Sequence, residues 1–119
     1  MKHLLLALAG TSLIALSATG QAADLAAGKA LYEKNCASCH GADAKTPIMP
    51  AYPILAGQHA DFLAHALKAY QRGASGAPAS ANVRQNAIMG GQASALSKAD
   101  VENVSAWLAA QPGPLAVRK

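Results

Sequence analysis

Apolar residues recur at helical intervals in three separate stretches, and nowhere do apolar and polar positions alternate with the β-branched enrichment of a strand. From Asp24 to Lys34, Leu25, Gly28, Leu31 and Tyr32 fall at helical spacing, and Asp24 is placed as the N-cap. Gln58 to Tyr70 returns to that order through Phe62, Leu63, Ala66, Leu67 and Tyr70, and Arg72-Gly73 marks its stop. Ser97-Lys98-Ala99-Asp100 opens a third helix as a capping box with Asp in place of the usual Glu. Val101, Val104, Trp107 and Leu108 form its apolar side, and Gln111-Pro112-Gly113-Pro114 ends it. Pro47, Pro50 and Pro53 break the pattern between Gly41 and Gly57, which reads as a loop. Gly73 to Gly91, rich in Gly, Ala, Ser and Asn, reads as a second loop with a short helical turn around Ala81 to Gln85. The expected fold is all-α, with three main helices, and Leu115 to Lys119 is expected to fray.

A different pattern precedes these helices. Met1-Lys2-His3 is a short positive start, Leu4 to Leu16 is a mostly apolar run, and Ser17 to Ala23 is small and polar. That order is a secretory signal peptide, its apolar part shorter than the roughly 20 residues of a bilayer span. Cleavage is expected after Ala22, so that residues 1–22 are removed and residues 23–119 form a single domain in the periplasm. No later segment is apolar enough to span a membrane, and a monomer is the expected state.

Composition sharpens the picture at one point. Of the 119 residues 52% are hydrophobic but only 4% aromatic, and much of the apolar fraction is alanine, so the core is thin and calls for a staple or an embedded cofactor. The formal charge of +4 is spread over scattered lysines, Lys29, Lys34, Lys45, Lys68 and Lys98, which excludes a nucleic-acid-binding patch. They suit a mildly positive rim for acidic redox partner proteins.

The chemistry lies in Cys36-Ala37-Ser38-Cys39-His40. In an oxidising compartment two cysteines could be a redox thiol pair, half of a metal site, or attachment points for haem. The histidine directly after the pair selects haem: both thiols add across vinyl groups and the imidazole ligates iron. Cysteines three apart share one face of a helical turn, and the next residue can swing beneath the ring plane. A zinc site would need help from His59 or His65, which do not share a helix face, and a thioredoxin-like pair would need alternating strands and helices. One such motif means one haem.

These residues together resemble the class I cytochrome c family, nearest its small bacterial periplasmic members, from Gly28 to Trp107. The resemblance implies a crossing of the first and last helices through Gly28 and Tyr32 on one and Val104 and Trp107 on the other. It also implies that Tyr52-Pro53-Ile54-Leu55-Ala56-Gly57-Gln58 covers the proximal haem face, with a proline carbonyl, of Pro53 or Pro47, orienting the axial His40. The sixth iron ligand implied is Met89 in Asn86-Ala87-Ile88-Met89-Gly90-Gly91, its flanking glycines letting backbone approach the macrocycle; Met49, nine residues after His40, matches no ligand position. Arg84 is either a solvated surface residue or the partner of a haem propionate.

The function implied is a mono-haem one-electron carrier, not an enzyme, with Cys36 and Cys39 holding the haem and His40 and Met89 on its iron. The alternatives are a ligand-binding or sensing haem protein with a displaceable sixth ligand, and a cytochrome subunit of a larger oxidoreductase. The exported protein should begin at Ala23, a result that N-terminal sequencing of the periplasmic fraction checks directly.

Overall fold

The computed structural model describes residues 21–116, so nearly all of the expected signal peptide and the last three residues lie outside it. The helices are α1 (Leu25–Asn35), α2 (Ala37–His40), α3 (Ala60–Ala74), α4 (Ala87–Ser94) and α5 (Lys98–Ala109), with a 3-10 turn at Ala79–Ala81. No strand occurs among the described residues. The three long helices are the expected ones.

Both predicted caps are present. The Asp24 carboxylate accepts from the Ala27 amide at 3.0 Å, satisfying a donor that the first helical turn leaves free. In the capping box, Ser97 Oγ accepts from the Asp100 amide at 3.1 Å and the Asp100 carboxylate accepts from the Ser97 amide at 2.9 Å. Those bonds, the Ser97 amide first, hold the Asp100 carboxyl below its ordinary range. The box therefore adds stability above the ordinary carboxylate range and loses it as pH falls through the lowered value.

The first and last helices cross at Gly28. A Cβ there would stand 2.1 Å from the Asn103 carbonyl oxygen and 3.0 Å from Trp107 Cβ, so only glycine lets the backbones meet. Tyr32, one turn on, is fully buried with its ring centroid 4.9 Å from that of Trp107. The Asp24 amide adds a bond to Asn103 Oδ1 at 2.8 Å across the same junction. Around it the core is small, as composition predicted: Tyr32, Leu63, Val101, Val104 and Leu108 share it with Ala44, Ala56, Ala69 and Ala93.

Three segments differ from the expected pattern, the first being the short turn expected around Ala81 to Gln85, which lies earlier, at Ala79–Ala81. The stretch read as a Gly-rich loop contains α4, which begins at the N-cap Asn86, whose side chain accepts from the Met89 amide at 2.8 Å. Its two glycines hid it, because glycine disfavours a helix interior. α3 runs through Gly73 to Ala74 because that glycine keeps helical backbone; the turn follows at Gly76, φ +78°. No described helix is long and apolar enough to cross a membrane.

Gly28→Ala should destabilise the fold by about 3 kcal/mol through overpacking at the crossing. Gly91→Ala, which meets no atom within 4 Å, should be neutral or stabilising. Thermal unfolding followed by circular dichroism separates the two.

Candidate functional site

The cysteine motif forms its own short helix directly beneath α1. The Cys36 amide bonds the Tyr32 carbonyl at 2.9 Å and closes α1, and the His40 amide bonds the Cys36 carbonyl at 3.0 Å to form α2. Gly41, at φ +86°, ends it; a Cβ there would lie 2.1 Å from the Thr46 carbonyl oxygen. The buried Tyr32 hydroxyl donates to the Gly41 carbonyl at 2.6 Å, tying the end of the motif back to α1. Burial, then the nearby Cys36 and Asp43, push the Tyr32 phenol far up, so it remains a donor.

His40 is 6% exposed. Its Nδ1 lies 3.2 Å from the Pro53 carbonyl oxygen. A carbonyl can only accept, so Nδ1 carries a proton, and in the neutral ring Nε2 is the nitrogen that offers a lone pair. Of the two prolines left open by the sequence, Pro53 is the partner. The loop reaches that position through named bonds: the Leu55 and Ala56 amides both donate to the Ala44 carbonyl, at 2.9 and 3.0 Å, and the Gly57 amide donates to the Leu108 carbonyl at 2.9 Å. Asp43 closes the turn before it by accepting from the Lys45 and Thr46 amides and from the Thr46 hydroxyl, which lowers its carboxyl below the usual range.

Opposite this wall stand α3 and α4. Gly90 packs on α3, where a Cβ would be 3.3 Å from that of Ala74, and Gly91 has open space around it. The first of the two glycines thus serves helix packing. Gln71, whose role the sequence analysis did not anticipate, donates from Nε2 to the carbonyls of Ala93 and Leu96, each at 2.9 Å, and holds the end of α4 against α3. Its only sequence signal is an uncharged polar residue next to an apolar stripe, which is too common to be informative.

Between the two walls lies a cleft of about 550 Å³ lined by Cys36, Cys39, His40 and Met89 together. That is the size of an organic cofactor site. Leu55, Leu63, Leu67, Leu96, Val104 and Leu108 supply apolar walls, and among the described residues no carboxylate lines it. Both cysteines are free, and burial, then Cys39, push Cys36 up to about 11, so its sulfur is a neutral thiol near pH 7. The donor set, the apolar walls and the carbonyl-held imidazole fit a haem. Met49 is 48% exposed and does not line the cleft; Met89 does. His59 and His65 are exposed, the latter 2.7 Å from Asn82 Nδ2, and no cluster of three metal-binding side chains occurs among the described residues.

The chain is similar to known proteins in sequence and in fold. The cytochrome c family model matches residues 25–111. Cytochrome c-554(547) of Halothiobacillus neapolitanus is 38% identical over 90 residues, which are 74% of this chain and 97% of that protein. The thiosulfate dehydrogenase electron acceptor of Stutzerimonas stutzeri (strain A1501) is 35% identical over 96% of this chain, which spans 51% of that longer protein. Among solved structures, reduced recombinant cytochrome c4 from Pseudomonas stutzeri superposes with a TM-score of 0.67 at 33% identity, over 77% of this chain and 47% of the other.

Gln71→Leu removes the donor shared by two carbonyls, and the loss should be about 1 kcal/mol. Amide hydrogen exchange should quicken in residues 87–96 and stay unchanged in α1.

Proposed function

The chain belongs to the cytochrome c family, whose cofactor is a covalently bound haem c, and on that footing we propose that it is a periplasmic one-electron carrier with a single haem. Cys36 and Cys39 would hold the haem by thioether bonds, and His40 and Met89 would ligate its iron. One observation carries this reading: two thiols, an imidazole with Nδ1 on the Pro53 carbonyl and a thioether side chain line one apolar cleft that no carboxylate of the described residues enters.

The haem, when bound, supplies a one-electron redox couple. His40 presents Nε2 because its other nitrogen is committed to Pro53. Met89 is soft and uncharged, which favours ferrous over ferric iron and raises the potential. His40 and Met89 would both be available to the iron of a bound haem, so that this chain's own side chains would occupy the places an outside ligand would take. The leucine and valine walls keep water from the ring.

The partners are redox proteins, a donor and an acceptor. A relative named as an electron acceptor for thiosulfate dehydrogenase supports a place downstream of a dehydrogenase. In this reading the chain moves electrons between enzymes and transforms no substrate.

The visible spectrum of the reduced, periplasm-matured protein should show a low-spin c-type pattern that carbon monoxide does not alter. A prompt shift on adding carbon monoxide would mean an open sixth position, and a ligand-binding or sensing role would replace electron transfer. Met89→Ala should produce that shift, and Met49→Ala should not.

A further inference from the structure

Residues 75–86 join α3 to α4 and deliver Met89, in the first turn of α4, to the cleft. Gln71 fastens the far end of that helix, at the carbonyls of Ala93 and Leu96. The first turn is fastened through the connection instead. Asn86 caps it on the Met89 amide, and the Arg84 amide donates to the Ala69 carbonyl of α3 at 3.0 Å. Gly73 permits that approach, since a Cβ there would stand 2.1 Å from the Arg84 carbonyl oxygen. The next hold upstream is Asn82.

Asn82 and Ala44 are the non-glycine residues with positive φ among the described ones, Asn82 at +53°, a conformation that asparagine tolerates. In it, both the carbonyl and the side chain of Asn82 meet α3. Arg72 donates to the carbonyl from Nε at 3.2 Å and from Nη2 at 2.7 Å, and Asn82 Nδ2 lies 2.7 Å from His65 Nε2. An amide nitrogen only donates, so Nε2 accepts and the ring is neutral. The turn just before, Ala79–Ala81, closes on itself, with the Ala81 amide on the Pro78 carbonyl at 2.8 Å.

His65 and Asn82 are both exposed, so protons reach the pair from solvent. The charged groups near it along α3 are Asp61, Lys68 and Arg72, and the Asp61 carboxylate accepts from the Phe62 amide at 2.9 Å. On the connection the charged group is Arg84, the permanent cation of the cleft lining, its guanidinium carbon 5.7 Å from the ring centroid of Phe62 and 5.6 Å from that of Tyr70. α4 carries no titratable side chain, and on α5 Lys98 pairs with Glu102 while Asp100 accepts from the Ser97 amide.

Resting on the haem reading above, we propose that Asn82 is a positioning residue for Met89 and that His65 makes its hold proton-sensitive. With His65 neutral, Asn82 is pinned to α3 by backbone and side chain, and the first turn of α4 keeps Met89 in the cleft. Protonation turns the Nε2 acceptor into a donor that faces another donor. The side-chain pin is then lost while the Arg72 bonds remain, so the connection loosens without coming free. An outside ligand competes better for the place of Met89. The hold is present above the range in which histidine titrates and is lost as pH falls through it.

The test titrates the oxidised, periplasm-matured holoprotein with azide between about pH 5.5 and 8, inside the range where a histidine changes charge. The methionine-to-iron charge-transfer band reports the replacement of Met89. Azide affinity should rise about fivefold from the alkaline to the acid end, the fold-change of one ordinary hydrogen bond. His65→Gln, whose side-chain oxygen accepts from Asn82 Nδ2 at any pH, should keep the low alkaline affinity throughout. Asn82→Asp should reverse the slope, because a carboxylate accepts from protonated His65 and holds best in acid. A flat wild-type profile, the result if Asn82 turned its amide to accept from protonated His65, would overturn the proposal. So would a slope that survives in His65→Gln or keeps its sign in Asn82→Asp. The wild-type and His65→Gln profiles decide the matter even if Asn82→Asp fails to mature. An oxidised wild type with no methionine-to-iron band would instead overturn the Met89 assignment made above, so the two failures are distinguishable.

Discussion

At Gly28 the backbone of α1 lies so close to that of α5 that one added methyl would fall 2.1 Å from the Asn103 carbonyl oxygen. That approach seats Tyr32 against Trp107 and buries it fully. The Tyr32 hydroxyl then holds Gly41, which ends the helix carrying the cysteine motif. On the other side of the crossing, the Leu108 carbonyl of α5 takes the Gly57 amide and so closes the loop that brings the Pro53 carbonyl to His40. The motif and the group that sets the tautomer of His40 are thus both fastened to one helix junction. A core with so few large side chains gains rigidity from backbone contact where bulky packing is scarce.

The Met89 wall is built differently. α4 is short and glycine-bearing, and it stands on α3 through Gly90 packing and the two bonds from Gln71. Its N-cap Asn86 bonds the amide of Met89 itself, so the start of the helix and the position of the thioether are one feature. Met89 thus stands on a helix fastened to α3, and His40 on one fastened to α1 and to the Pro53 carbonyl.

Charge follows the same division. Asp24 and Asp100 cap helices, Asp43 closes a turn, Glu33 and Glu102 pair with lysines on helix surfaces, and none of the described acidic groups lines the cleft. The cleft thereby stays apolar with one cation at its rim, a setting in which a charge introduced by a cofactor meets little competition.

Much of this was readable in the linear chain wherever the determinant is local. Asp24 and the Ser97–Asp100 box announce their helices because a cap bonds amides two or three residues away. The haem motif is legible because its two thiols and its imidazole lie within five consecutive residues. α4 was not, since Gly90 and Gly91 weaken the helical signal and α3 supplies the compensation from a distance. The choice of Pro53 over Pro47 rests on a bond to Leu108 in another helix, and the role of Gln71 on carbonyls more than twenty positions away. Arg84 faces the cleft because Ala69, Gly73, Phe62 and Tyr70 constrain it. The sequence by itself determined the three long helices, the cofactor motif and the family; tertiary structure decided α4 and which carbonyl, amide and cation meet the site, because those partners are brought together only by the packing of α3 and α5.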